Sequence, residues 1–145
     1  MNPLVTRLEE KLLPEFRKIA EKIRQEISNV RVSVYSTEIG SETQFQGHDF
    51  CIDCLFLGAF KEDETDNVAL MVNLGYLKTI PRIDADVGWG YPSGKNEASF
   101  KNWGGIFPDE GIIVSDEILE DLYKDLPRLY EALFKALRRR KPSDE

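Results

Sequence analysis

The chain is short of the residues that usually announce chemistry. It has a single histidine, His48, and two cysteines in 145 residues. Two cysteines in a chain able to bury its own core give no disulfide framework, which agrees with a reducing compartment. No apolar run approaches the roughly 18 to 20 residues that span a bilayer; Leu55 to Phe60 is among the longest. The first residues, MNPLVTRLEEKLLPEF, carry charge where a signal peptide needs a continuous apolar stretch, so the expected address is cytoplasmic, with no membrane partner. No linker, internal repeat or low-complexity tract divides the chain, and one domain over residues 1–145 is expected.

What is present is ordinary for a globular domain. At 41% hydrophobic and 31% charged, the composition is too apolar for disorder and too charged for a membrane protein. The net charge of −7 is unevenly spread. Residues 1–29 hold six Lys/Arg against five Asp/Glu, and residues 124–145 hold seven against four, whereas residues 30–123 hold six against seventeen. An acidic middle disfavours direct contact with nucleic acid and favours a basic protein partner. The plainer alternative is that these acids only keep a small domain soluble.

Leu4, Leu8, Leu12, Phe16, Ile19, Ile23 and Ile27 recur at helical spacing, so the N-terminal segment is an amphipathic helix with Asn2 as cap and Pro3 in its first turn. Pro14 is expected to kink it near Leu12 and Leu13, or to split it in two. From Val30 the period changes to two. Strands are expected at Val30 to about Glu38, about Gln44 to Phe60 (placed centrally because it is apolar on both sides), from Val68 on, from Ile83 to Tyr91, and from about Asn96 to Trp103. Lys61 to Asn67 reads as an acidic connector, and Tyr91-Pro92-Ser93-Gly94 as a type I turn. From Ser115, a plausible N-cap, the helical period returns through Leu119, Leu122, Leu126 and onward, with Pro127 interrupting. The basic run Arg138 to Lys141 complements that helix's C-terminus. The layout is α+β: an antiparallel meander of four to five strands with the N-terminal and C-terminal helices packed on one face.

Four patterns were weighed for chemistry. Cys51-Ile-Asp-Cys54 has dithiol spacing, but residues three apart on a strand point to opposite faces, and zinc would want a second ligand pair. His48-Asp49 could form a general base with its orienting carboxylate, yet no nucleophile is evident beside it. Gly88 to Lys95 invites comparison with the phosphate-binding loop G-x-x-x-x-G-K-[ST]; the first glycine would have to fall at Trp89, and Asn96 stands where Ser or Thr belongs. Asp84 and Asp86 remain, two apart and so on one face of a strand opposite Ile83, Ala85, Val87 and Trp89.

Paired carboxylates can hold a divalent ion or serve as acid and base, but no lysine follows in the (D/E)-x-K arrangement. With Asp53, Glu97 and Asn73 on neighbouring strands, they make an acidic patch rimmed by aromatics, Tyr91 and Trp103 among the binding residues, that suits a basic protein. No catalytic residue, metal ligand or cofactor is assigned. The expected function is a small acidic protein-binding module with Asp53, Asp84, Asp86, Tyr91, Glu97 and Trp103 as its binding residues. The profile is one that inhibitors and immunity-type proteins often share, though the likeness is of type and transfers no residue. Two alternatives stand beside it: a metal-assisted hydrolase using the paired aspartates, and a dimerising structural subunit, that is, a homodimer.

Overall fold

The computed structural model describes residues 2–40, 45–57, 67–90, 95–102 and 111–139. Helix α1 spans Pro3–Glu26 and helix α2 spans Asp116–Arg139. Between them lie β1 (Val30–Ile39), β2 (Phe45–Phe56), β3 (Asn67–Leu77), β4 (Ile80–Trp89), β5 (Lys95–Ser99) and the two-residue β6 (Ile112–Ile113). The strands pair antiparallel in the order β1-β2-β3-β4-β5, and β6 joins the outer edge of β4 beyond β5. This is the α+β meander that the sequence periods indicate, with β3 rather than β2 in the middle.

Each helix begins where a side chain satisfies the free amides of its first turn. Asn2 Oδ1 accepts from Leu4 N at 2.9 Å, and Ser115 Oγ accepts from Ile118 N at 3.1 Å. Pro14 and Pro127 both lie within their helices rather than ending them, and both are exposed. The expected division of α1 does not occur. Leu8, Leu12, Phe16, Ala20 and Ile23 are all buried on either side of Pro14, and that packing offsets a proline cost of about 3 kcal/mol.

The two helices run in the same direction. Arg7 meets Asp116 at 2.9 Å at their starts, the Phe16 and Tyr130 rings meet edge-on midway, and Arg138 meets Glu26 at 3.3 Å at their ends. Together they cover one sheet face, α1 over β1 and β2, and α2 over β3, β4 and β5. The even-numbered residues of β1, β2 and β3 and the odd-numbered residues of β4 point to this side. Phe50, Ile52, Leu70, Val72, Ile83 and Val87 are therefore buried against the helices.

Three local features depart from the sequence reading. The β3–β4 hairpin turns on Lys78 and Thr79, both left-handed (φ 54° and 71°), the geometry of a tight two-residue turn. Neither residue signals such a turn. Pro81 sits second in β4, where its carbonyl accepts from Val114 N at 3.0 Å; its missing N–H thus faces away from β3 and leaves that ladder whole. Strand β5 ends at Ser99 and gives way to a 3-10 turn at Phe100–Asn102, with Lys101 left-handed (φ 49°). The expected turn at 91–94 and most of the connector at 61–67 fall outside the described residues.

Candidate functional site

The face of the sheet away from the helices is built by the other half of each strand. Register sets Thr37, Asp49, Asn73 and Asp84 in one cross-strand row, and Tyr35, Cys51, Met71, Asp86 and Ser99 in the next. Asp53, Ala69 and Gly88 form a third row. Three carboxylates, Asp49 on β2 and Asp84 and Asp86 on β4, thus stand within two rows of one face, with β3 between them. Among the described residues no Lys or Arg forms an ion pair with any of them.

This face is less open than an uncovered sheet suggests. Cys51 is fully buried, Met71 and Ala69 are 3% exposed, and Asp84 is only 5% exposed. Asn73 Nδ2 donates to Asp84 Oδ1 at 2.7 Å across β3 and β4. Burial, opposed by that hydrogen bond and reinforced by the charges of Asp86 and Asp49, pushes the Asp84 carboxyl up to about 8. Burial first, and then Asp49, raises Asp86 to about 6; burial alone raises Asp49 to about 6. Asp86 Oδ1 has no hydrogen-bond partner among the described residues.

The thiols are held neutral. Burial pushes Cys51 up to about 12, with the Tyr35 hydrogen bond pulling down and Asp53, Asp49 and Asp86 pushing further up. Cys54 is raised as well, chiefly by burial, and it belongs to the helix-side core. Cys51 and Cys54 face opposite sides of β2, so the dithiol spacing assembles nothing. His48 and Asp49 part in the same way. His48 lies on the helix side, 3.6 Å from Glu9 Oε1 and against the Phe50 ring, while Asp49 joins the carboxylates. Among the described residues, no group of three or more His, Cys, Asp or Glu could hold a metal ion.

The sequence-derived binding residues separate into three sets. Asp53, Asp84 and Asp86 share the helix-free face; Asp53 accepts from Asn67 Nδ2 at 3.3 Å. Glu97 does not join them. Pairing between β4 and β5 shifts between Val87 and Gly88, so Asn96 opposes Gly88, Ala98 opposes Val87, and Glu97 falls in the bulge. Released from the strand alternation, it forms an ion pair with Arg139 of α2. Tyr91 and Trp103 lie outside the described residues. Asp49 is the member that sequence reasoning missed. The period-two alternation of β2 already placed it on the same side as Cys51 and Asp53, but pairing it with His48 drew it toward a different role.

Around the carboxylates the same face carries exposed apolar groups, with Arg31 and Arg82 also among its strand positions. Tyr35 (40% exposed), Ile39, Ile80 and Ile113 are large hydrophobics left in solvent, and their strand positions all fall on the helix-free side. Asp49 and Asp86, raised only to about 6, are mostly ionised at pH 7 and can accept hydrogen bonds from a cation, while the exposed aliphatic and aromatic groups beside them offer apolar contact. They offer no activated nucleophile. The class so defined is an α+β domain with, among the described residues, one sheet face free of helices. No helix of the described residues is long and apolar enough to cross a membrane. No family model matches the chain, and comparisons with curated proteins and with solved structures gave no match either.

Proposed function

We propose that this protein is a binding module that engages a basic protein partner across its helix-free sheet face, as an inhibitor or immunity-type protein neutralising an enzyme that acts on nucleic acid. One observation carries the binding half of this reading. Asp49, Asp53 and Asp86 occupy the same face as Tyr35, Ile39, Ile80 and Ile113, and no cation of the described residues pairs with Asp49 or Asp86. Apolar contact gives such a surface affinity, and a partner's Lys or Arg completes carboxylates that otherwise sit together unpaired. The inhibitor role rests on the acidic middle of the chain.

Asp84 lies in this face but is buried and hydrogen-bonded to Asn73, so a charged replacement there would disturb folding more than binding. A cleaner test follows the protein by heteronuclear NMR during titration with basic and acidic proteins of similar size. The expected result is that basic proteins alone shift resonances on the helix-free side of β2, β3 and β4, and that Asp49→Asn/Asp86→Asn weakens the response at least tenfold. Shifts confined to α1 and α2, or equal shifts with acidic proteins, would sink the assignment. A partner recovered from the native host and rebound in pure form then tests the inhibitor role by loss of that partner's activity.

A further inference from the structure

Strand β1 is one edge of the sheet, and its ten residues, VRVSVYSTEI, contain no proline, glycine or bulge and only two charges, Arg31 and Glu38. Natural edge strands of this length usually carry such guards against pairing with another chain. Two hydrogen bonds fix which residues of β1 look outward. Asn29 O accepts from Leu57 N on the β2 side at 2.8 Å, whereas Val32 O accepts from Arg24 Nη2 of α1 at 2.9 Å. In an antiparallel ladder the two sides alternate, so Val30, Val32, Val34, Ser36 and Glu38 present their backbone groups to the outer edge. Arg24 occupies the edge at Val32. Among the described residues, Val34, Ser36 and Glu38 have no backbone partner there.

We propose that this free half-edge pairs with the same half-edge of a second copy, antiparallel about a two-fold axis at Ser36, joining the two sheets into one. That register opposes Ser36 to Ser36 of the second copy, Val34 to its Glu38, and Tyr35 to its Thr37. It makes ~6 backbone hydrogen bonds and leaves the Arg24 contact in place. No like charges are opposed. Tyr35 and Ile39, exposed at 40% and 37%, gain cover on the helix-free side, and Tyr35 against Thr37 is a favourable aromatic with β-branched pair. A second copy is the occupant that fits because the free segment is self-complementary about its own centre. The axis also sets both copies' helices on the same side of the joined sheet, so the carboxylate faces of the two copies become continuous.

Ser36→Pro tests this directly. The Ser36 N–H faces outward, so proline there removes no bond to β2 but blocks the centre of the new ladder. Sedimentation velocity from micromolar to near-millimolar concentration is expected to show the natural chain moving to twice its monomer mass. Ser36→Pro should stay at monomer mass with an unchanged circular dichroism spectrum. Amide exchange at Val34, Ser36 and Glu38 of the natural chain should slow about tenfold or more on going from dilute to concentrated protein. A natural chain that stays monomeric throughout overturns the proposal. So does a folded Ser36→Pro that still dimerises, or a dimer whose three amides exchange as fast as in the monomer. If Ser36→Pro fails to fold, Tyr35→Lys/Thr37→Lys decides by the same readouts, because it sets like charges opposite each other across the axis.

Discussion

Asn73 on β3 and Asp84 on β4 lie directly opposite each other, and the Asn73 amide donates to the Asp84 carboxyl at 2.7 Å where only 5% of Asp84 reaches solvent. This pair lies within the proposed binding face, in the row of Asp49, and makes its chemistry depend on protons.

Stability should fall as pH rises through neutrality. Asp84 moves from an ordinary 3.8 to about 8 in the folded protein, and Asp49 and Asp86 move to about 6. Between these values the folded state holds protons that the unfolded state has lost, so the stabilisation is full below about pH 4. The shares of Asp49 and Asp86 are lost toward pH 6 and that of Asp84 toward pH 8. Each group changes stability by at most about 1.4 kcal/mol per pH unit. Urea unfolding at pH 5 and pH 8 should show the higher midpoint at pH 5, and Asp84→Asn should flatten the profile between pH 6 and pH 8. A natural chain that is more stable at pH 8 would contradict the burial argument.

Neither thiol should react while the protein is folded. Cys51 and Cys54 are buried on opposite faces of β2 with their thiols held protonated. A thiol-titrating disulfide reagent at pH 8 is expected to find both cysteines only after denaturant is added, and reductant should leave the melting temperature unchanged.

The β3–β4 turn should tolerate improvement. Lys78 and Thr79 hold left-handed conformations that asparagine and glycine adopt at less cost. Lys78→Asn/Thr79→Gly is expected to raise stability by about 1 kcal/mol in thermal or urea unfolding, with no change at the binding face.

Binding and stability should separate at the rim. Ile39→Lys and Ile80→Lys remove exposed apolar surface and are expected to change stability by no more than about 0.5 kcal/mol while weakening capture of a basic partner. By contrast, Phe16→Ala opens the core beneath α1 and should cost about 3–5 kcal/mol. Undiminished binding in both isoleucine variants would contradict the placement of the site on this face.

The sequence by itself determined the element order, the caps at Asn2 and Ser115, and which side of each strand faces the helices, because a period of two or of 3.6 is a local property of the chain. It separated Cys51 from Cys54 for the same reason, and it put Asp84 and Asp86 together on the face away from Val87. Only the tertiary structure decided what those carboxylates are. Register set Asn73 directly opposite Asp84 with Asp49 one strand further on, and neighbours distant in sequence buried Asp84, so groups read as an acidic patch became a cluster held partly neutral. The β5 bulge turned Glu97 away to Arg139, and packing carried both helices through their prolines. Those outcomes depend on which strand lies against which and with what offset. Sequence spacing along one strand does not encode that.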